Sequence, residues 1–468
     1  MDKAEQNLRS SFHINSVTDV PANESLAPQP PLEQKTVMHI KYTKLLAKVS
    51  FISLIISSLL FPTGTFADIP VKHITYLACV TTLFACWFKG ARIEKAYLSL
   101  FVACILFVVF YSLVGSLHSK APFYFVFTEA QLFIATMTVV LFILMAKSCK
   151  IIEDEEIVLS AFYGVFFFAL WKFIAILLLH LNIISFGSLM HFFEKYAGYP
   201  PVTSGIPGGY IRLAFISQDF ATALFLFLIP AYPKMFSKVP RFLRIAFMLT
   251  GVVAVLFSYS RYYFGFLLIL WFYIFLFKFS FMKRLLACAT VSVILLLSLP
   301  WLIDVFNARF MSDIAKESDN IRHLQIAALL NAWEDLPILG GGLGYYSKEY
   351  VRSMFIYEVQ WISFLAKFGM IGGAFLFFLI SLLFYKILSG KKSLDHYVLA
   401  FTLFCFLLGG FTNPFLVNST SAMFYVLPLI VASILRKELL ESPQSNRLGA
   451  ASAQSGLPFQ TSRPQSTR

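Results

Sequence analysis

Apolar runs long enough to cross a membrane recur along this chain from residue 44 to residue 436. A helix needs about 20 residues to cross the hydrocarbon core. The runs predict about twelve spans, at 45–62, 71–88, 96–117, 123–147, 157–184, 213–233, 244–260, 262–278, 284–303, 359–386, 396–412 and 419–436. Hydrophobic residues make up 58% of the chain, charged residues only 13%, and the mean hydropathy is +0.73, far outside the range of soluble globular domains. The expected fold class is an all-α integral membrane protein of about 12 transmembrane helices, with a large extracytoplasmic loop, helical in part, before the tenth.

Basic residues orient the spans. With the N-terminus inside, Lys89, Arg92 and Lys95, then Lys234, Lys238, Arg241 and Arg244, then Lys278, Lys283 and Arg284, then Lys386, Lys391 and Lys392, and finally Arg436 and Lys437 all face the cytoplasm. The opposite orientation would put every cluster outside. A tight outward turn at Arg261 divides 244–278 into two crossings, because a single crossing would move every later loop to the wrong side. Three parts follow: a disordered cytoplasmic arm at 1–43, a membrane domain at 44–436 with outward loops 185–212 and 304–357, and a disordered cytoplasmic tail at 437–468.

The formal charge of +13 is scattered over short loops and tails, which fits topology and argues against a nucleic-acid partner. Six cysteines without CxxC spacing indicate neither a disulfide framework nor a zinc site, and His191 and His323 lack ligand spacing. No metal and no cofactor is expected. Membrane lipids are an expected partner.

Arg212, Arg261, Arg309 and Arg322 all fall on the outer side. Guanidinium groups bind phosphate through planar bidentate hydrogen bonds, so a cluster of them suits a lipid-linked diphosphate. Taken singly, each also suits snorkelling to ordinary headgroups or pairing with a local acid. Residues 318–336 predict a helix capped by Ser318, with Ile321, Leu324, Ala328 and Ala332 as its apolar stripe, Arg322 on its first turn and Trp333 as an interfacial anchor. Pro337 follows, then the glycine run 340–344, which lacks the Lys-Ser/Thr pair of a nucleotide loop and serves a sharp turn or a close backbone approach to substrate, with a flexible connector as the alternative.

Three segments together resemble the bacterial O-antigen polymerase and O-antigen ligase superfamily. They are Arg212 opening Arg-Leu-Ala-Phe-Ile-Ser-Gln-Asp, Arg261 closing Phe-Ser-Tyr-Ser-Arg, and Arg322 followed by the glycine turn and a span carrying Gly369 and Gly372. The resemblance covers roughly residues 205–435. In the ligase branch a His-Asn pair typically begins that last span; here Glu358 and Val359 stand in its place, which counts against a ligase.

The resemblance implies a metal-independent, inverting glycosyltransferase in the bacterial inner membrane, with both termini cytoplasmic and a polyprenyl-diphosphate-linked oligosaccharide as donor. Glu358, Arg261 and Arg322 are the expected catalytic residues, and Arg212, Arg309, Asp219, Gly342 and Gly344 the expected substrate-binding ones. A carboxylate can act as general base toward a sugar hydroxyl; Glu358 equally suits an interfacial acid that pairs with Arg352 or caps the following helix. A polysaccharide repeat-unit polymerase is the first reading, with a chain-length regulator as a further partner. A ligase that moves the glycan to lipid A core or to a protein is the second. A flippase or transporter is the third, disfavoured because the charges collect at the outer edge rather than at mid-membrane.

Overall fold

The structure, a computed structural model, describes residues 32–62, 64–67, 69–197, 205–206, 210–307, 313–350, 356–390 and 392–441. Fourteen α-helices lie among them: α1 (Leu32–Leu60), α2 (Val71–Phe88), α3 (Lys95–Leu113), α4 (Phe123–Ser148), α5 (Asp154–His180), α6 (Phe186–Phe192), α7 (Ile216–Ala231), α8 (Arg241–Leu256), α9 (Arg261–Tyr273), α10 (Phe281–Phe306), α11 (Asp313–Asp335), α12 (Gln360–Leu388), α13 (Leu394–Gly409) and α14 (Ser419–Glu441). Each of the twelve expected spans coincides with one of these helices, and α6 and α11 fall in the two long loops expected to face outward. Among the described residues seven helical stretches have the length and hydropathy of a membrane crossing: α1 from Lys41, α2, α3 with its continuation to His118, α4, α5, α9 with its continuation to Lys278, and α12. The only strands described are two-residue pieces, Gly205–Ile206 paired with Tyr210–Ile211. The chain is an all-α membrane protein.

The compact unit begins at Thr43, inside α1. Helix α1 starts at Leu32, ahead of the expected start of the membrane domain at 44, and α14 runs to Glu441, past its expected end at 436. In both places the helix continues beyond the apolar run, because polar residues extend a helix once a nucleus exists.

Phenylalanine fills the core. Phe162, Phe220, Phe225, Phe227 and Phe236 are buried, and Phe220 packs its ring against Phe266, Phe406, Phe415 and Phe424. That joins α7 to α9, α13 and α14. Helix α7 is buried at nearly every position from Ser217 to Ala231, which makes it the central helix around which the others stand.

Helix α12 is two helices broken at Gly369, whose backbone takes φ 56° and ψ −162°. A break inside a membrane helix frees N–H and C=O groups that lipid cannot satisfy. The glycine turn satisfies them. Gly341 and Gly342 donate their N–H groups to the carbonyls of Ala366 (2.9 Å) and Lys367 (2.8 Å), while Met370 and Ile371 donate to Pro337 (2.9 Å) and Ile338 (3.2 Å). Leu343 N–H reaches the carbonyl of Tyr111 at 2.9 Å, and Gly344 N–H reaches Glu129 Oε2 at 2.7 Å. Gly340, Gly342 and Gly344 all have positive φ, at 69°, 80° and 76°. A Cβ on Gly342 would lie 2.0 Å from the nitrogen of Gly115, and one on Gly344 2.6 Å from that of Val126. The close approach that these glycines permit is to the protein's own backbone.

Lys367 and Glu129 lock the same junction through a buried ion pair at 2.5 Å. One Glu129 oxygen takes the lysine and the other takes Gly344, so a single carboxylate fixes both α12 and the turn.

Gly342→Ala therefore combines overpacking with a left-handed Cβ, a cost of about 2 to 4 kcal/mol. It should lower the thermal midpoint and the monodisperse yield of detergent-solubilised protein. Gly373→Ala, a substitution with no heavy atom within 4 Å of its new Cβ, should change neither.

Candidate functional site: an arginine and carboxylate cluster at the head of α12

Three segments far apart in sequence meet where α9, α11 and α12 begin. The first contact is between loops: Leu213 N–H donates to the carbonyl of Phe257 at 3.0 Å, and Arg212 Nε donates to the carbonyl of Ser258 at 3.0 Å. This ties the strand of chain before α7 to the turn between α8 and α9. In that turn Tyr259 adopts φ 46°, an unusual conformation for a bulky residue that is found where surroundings impose it. The turn delivers Arg261 to the first position of α9, in agreement with the expected hairpin.

Helix α11 supplies the second part. It begins at Asp313 rather than at Ser318, so Ser318 lies inside the helix and does not cap it. Its buried face carries Gln325, Ala328, Leu329 and Ala332, whereas Leu324, expected in the apolar stripe, is half exposed. The physical reason is local: Leu329 packs with Tyr357, Val359 and Ala366 around the head of α12, and a polar residue, Gln325, is accepted on that face because its Oε1 receives the N–H of Glu358 at 3.0 Å. Trp333 packs against the same cluster.

These placements bring charges together. Arg322 Nη1 lies 2.7 Å from Asp319 Oδ1, and Arg261 Nη2 lies 3.1 Å from the same oxygen. Arg322 Nε lies 3.0 Å from Glu358 Oε2, close enough for an ion pair although without hydrogen-bond alignment. Burial, the largest effect, lowers the Arg212 guanidinium from its ordinary value; Tyr263, Asp219 and Glu358 raise it and Arg322 lowers it. The charges of Glu358 and Arg322 thus reach Arg212. The cluster is open to ligands, with side-chain exposures of 21% at Arg322, 32% at Arg261 and 39% at Glu358.

Other expected site residues stand elsewhere. Asp219 is completely buried, 2.6 Å from the equally buried Lys172, and its second oxygen accepts the N–H of Phe215 at 2.8 Å. A carboxylate so enclosed is a support beneath Arg212 rather than a substrate ligand. Gly342 and Gly344, expected to bind substrate, face Gly115 and Val126 as described above. Arg309 and Arg352 lie outside the described residues.

Sequence reasoning passed over Lys172, Gln325, Glu129 and Lys367. A lysine in the middle of an apolar span such as 157–184 signals a buried carboxylate partner, since an unpaired charge there is costly. That signal was present for Lys172 and for Lys367.

Removing one member of the Lys172 and Asp219 pair leaves an uncompensated buried charge, a loss of about 3 to 5 kcal/mol. Asp219→Ala and Lys172→Met should each lower the thermal midpoint strongly. The double variant should be more stable than either single one, a recovery that a ligand-binding role for Asp219 does not predict.

Residues 246–377 match the family model described as O-antigen ligase. No curated protein matches the chain significantly. The matched segment holds Arg261, Asp319, Arg322, Glu358 and the glycine turn, and it leaves out Arg212. Residues 246–377 thus form an O-antigen ligase-like domain, consistent with the O-antigen polymerase and ligase superfamily; members of the matched family are enzymes acting on lipid-linked oligosaccharides, and the match supports an O-antigen ligase- or polymerase-like function.

Proposed function

We propose that this protein is a polysaccharide repeat-unit polymerase of the bacterial inner membrane, working on its outer face. The observation that carries the reading is Arg322, which bridges Asp319 and Glu358 with Arg261 on the same aspartate and Arg212 beside them. Guanidinium groups around an accessible carboxylate suit a diphosphate leaving group next to a general base.

In the proposed reaction the arginines hold the diphosphate of the polyprenyl-linked donor. A hydroxyl of the acceptor glycan attacks the anomeric carbon from the face opposite the diphosphate, so that configuration inverts. The new C–O bond forms as the bond to the diphosphate oxygen breaks. Glu358 takes the hydroxyl proton, and polyprenyl diphosphate leaves with its charge stabilised by Arg212, Arg261 and Arg322. In the resting cluster Arg322 is occupied by two carboxylates. When it turns to the donor's phosphate, Glu358 loses its cation and faces the acceptor hydroxyl alone. Gln325, through the Glu358 N–H, keeps the base in place during that exchange.

Glycans from a strain lacking the gene, complemented with wild type and variants, test this reading by gel and mass spectrometry. Wild type should restore long chains. Glu358→Gln should reduce polymerisation about 10²- to 10⁴-fold, and Arg322→Ala and Arg261→Ala about 10²- to 10³-fold, with protein levels unchanged. Single repeats on the final acceptor in the deletion strain support a polymerase. Long polyprenyl-linked chains with a bare acceptor would assign a ligase instead, and full activity in all three variants would overturn the catalytic roles.

A further inference from the structure

Arg212 precedes α7, and a second group of cations stands past the other end of that helix, about 24 Å of helix rise away. Lys234, Lys238, Arg241 and Arg244 fall there, between α7 and the first turn of α8. Of the four, only Lys238 has a carboxylate partner among the described residues, Glu155.

Arg241 and Arg244 share a cavity. It holds about 330 Å³ and lies between Ile229 and Pro233 at the end of α7 and the two arginines of α8. No acidic residue lines it, and none stands in the first turn of α8, where the peptide dipoles already carry positive partial charge. Arg244 Nε is buried without a hydrogen-bond partner among the described residues. A guanidinium nitrogen withheld from both water and protein is costly, which points to a ligand that supplies the acceptor.

The rest of the wall identifies that ligand. Ile245, Met248 and Leu249 continue from the arginines along α8, and Arg241, Ile245 and Leu249 follow at four-residue spacing on one face. Ile245 and Leu249 are 53% and 67% exposed. The face thus has cations at its head and an open apolar strip beneath them. From Arg241 to Leu249 the strip runs about 12 Å, within the roughly 15 Å that one leaflet of the hydrocarbon core offers a chain. A free phosphate or a nucleotide leaves the strip uncovered, whereas the acyl chain of a phospholipid covers it.

We infer that Arg241 and Arg244 bind the phosphate of an anionic phospholipid whose acyl chain lies on Ile245 and Leu249. Paired guanidiniums suit a phosphodiester through charge-assisted hydrogen bonds. The bound lipid fastens the start of α8, the helix whose far end leads to the Ser258 carbonyl on Arg212. The site is independent of the reaction proposed above.

The test uses purified full-length protein in neutral detergent, phosphatidylglycerol and phosphatidylcholine as probes, and native mass spectrometry as readout. Wild type should retain phosphatidylglycerol at least about tenfold better than phosphatidylcholine. Arg241→Gln combined with Arg244→Gln should abolish that preference, and Lys392→Gln, which removes a charge from another loop, should keep it. A photoreactive phosphatidylglycerol on the wild-type protein needs no variant and should label peptides of α8. Equal retention of the two lipids by wild type, an equal loss of preference in Lys392→Gln, or labelling confined to other helices would each overturn the site. Full displacement of phosphatidylglycerol by millimolar inorganic phosphate would overturn the lipid as its occupant and leave a site for free phosphate.

Discussion

The break in α12 is the constraint on which the rest of the structure depends. A membrane helix interrupted at Gly369 must have its freed backbone groups paired from outside the helix, and residues 337–342 are the segment that pairs them on both sides of the break. That requirement draws the end of the long outer loop down against α3, α4 and α12. It also explains why four glycines fall within five residues: three adopt positive φ, and side chains there would strike the backbones of Gly115, Val126 and Lys367. The turn is thus a structural plug, and its sequence is set by contact with the protein rather than by contact with sugar.

Once the turn is seated, the position of the charged cluster follows. Helix α11 runs directly into Pro337, so anchoring 337–342 holds α11 over the head of α12, with Leu329 against Tyr357 and Val359. Arg322 and Gln325, one turn apart on α11, then reach the two ends of Glu358, its carboxylate and its backbone N–H. Arg261 and Arg212 arrive independently, held by the α8–α9 turn and by the buried charge of Asp219 beneath. The anchored turn thus sets Arg322 and Arg261 on one aspartate, and the α8–α9 turn holds Arg212 within reach of the charges of Arg322 and Glu358.

The helical spans were legible because apolar length alone determines them: the hairpin at Arg261 and each of the twelve spans meet a helix in the structure. The arginines were legible as cations at the ends of spans, and Glu358 through its place before the span that carries Gly369 and Gly372. What escaped was whatever depends on a partner distant in sequence. Asp219 read as a ligand because its partner Lys172 lies in another helix, 47 positions away. Gly342 and Gly344 read as ligands because nothing local announces Gly115 or Val126. Leu324 looked like core by helical spacing, yet the face of α11 that is buried follows α12, and a buried Gln325 could be foreseen only from the N–H it serves.

The carboxylate at 358 carries a chemical consequence that an imidazole would not. A neutral imidazole in that place would leave Arg322 with Asp319 as its carboxylate partner and no anion of its own to offer. Glu358 instead engages Arg322, so the resting cluster is partly neutralised and ordered. In the proposed reaction a diphosphate would exchange one anion for another at Arg322, at some cost in donor affinity, and would release Glu358 from its ion pair only when a donor is present. One arginine would thereby couple the availability of the carboxylate to donor occupancy.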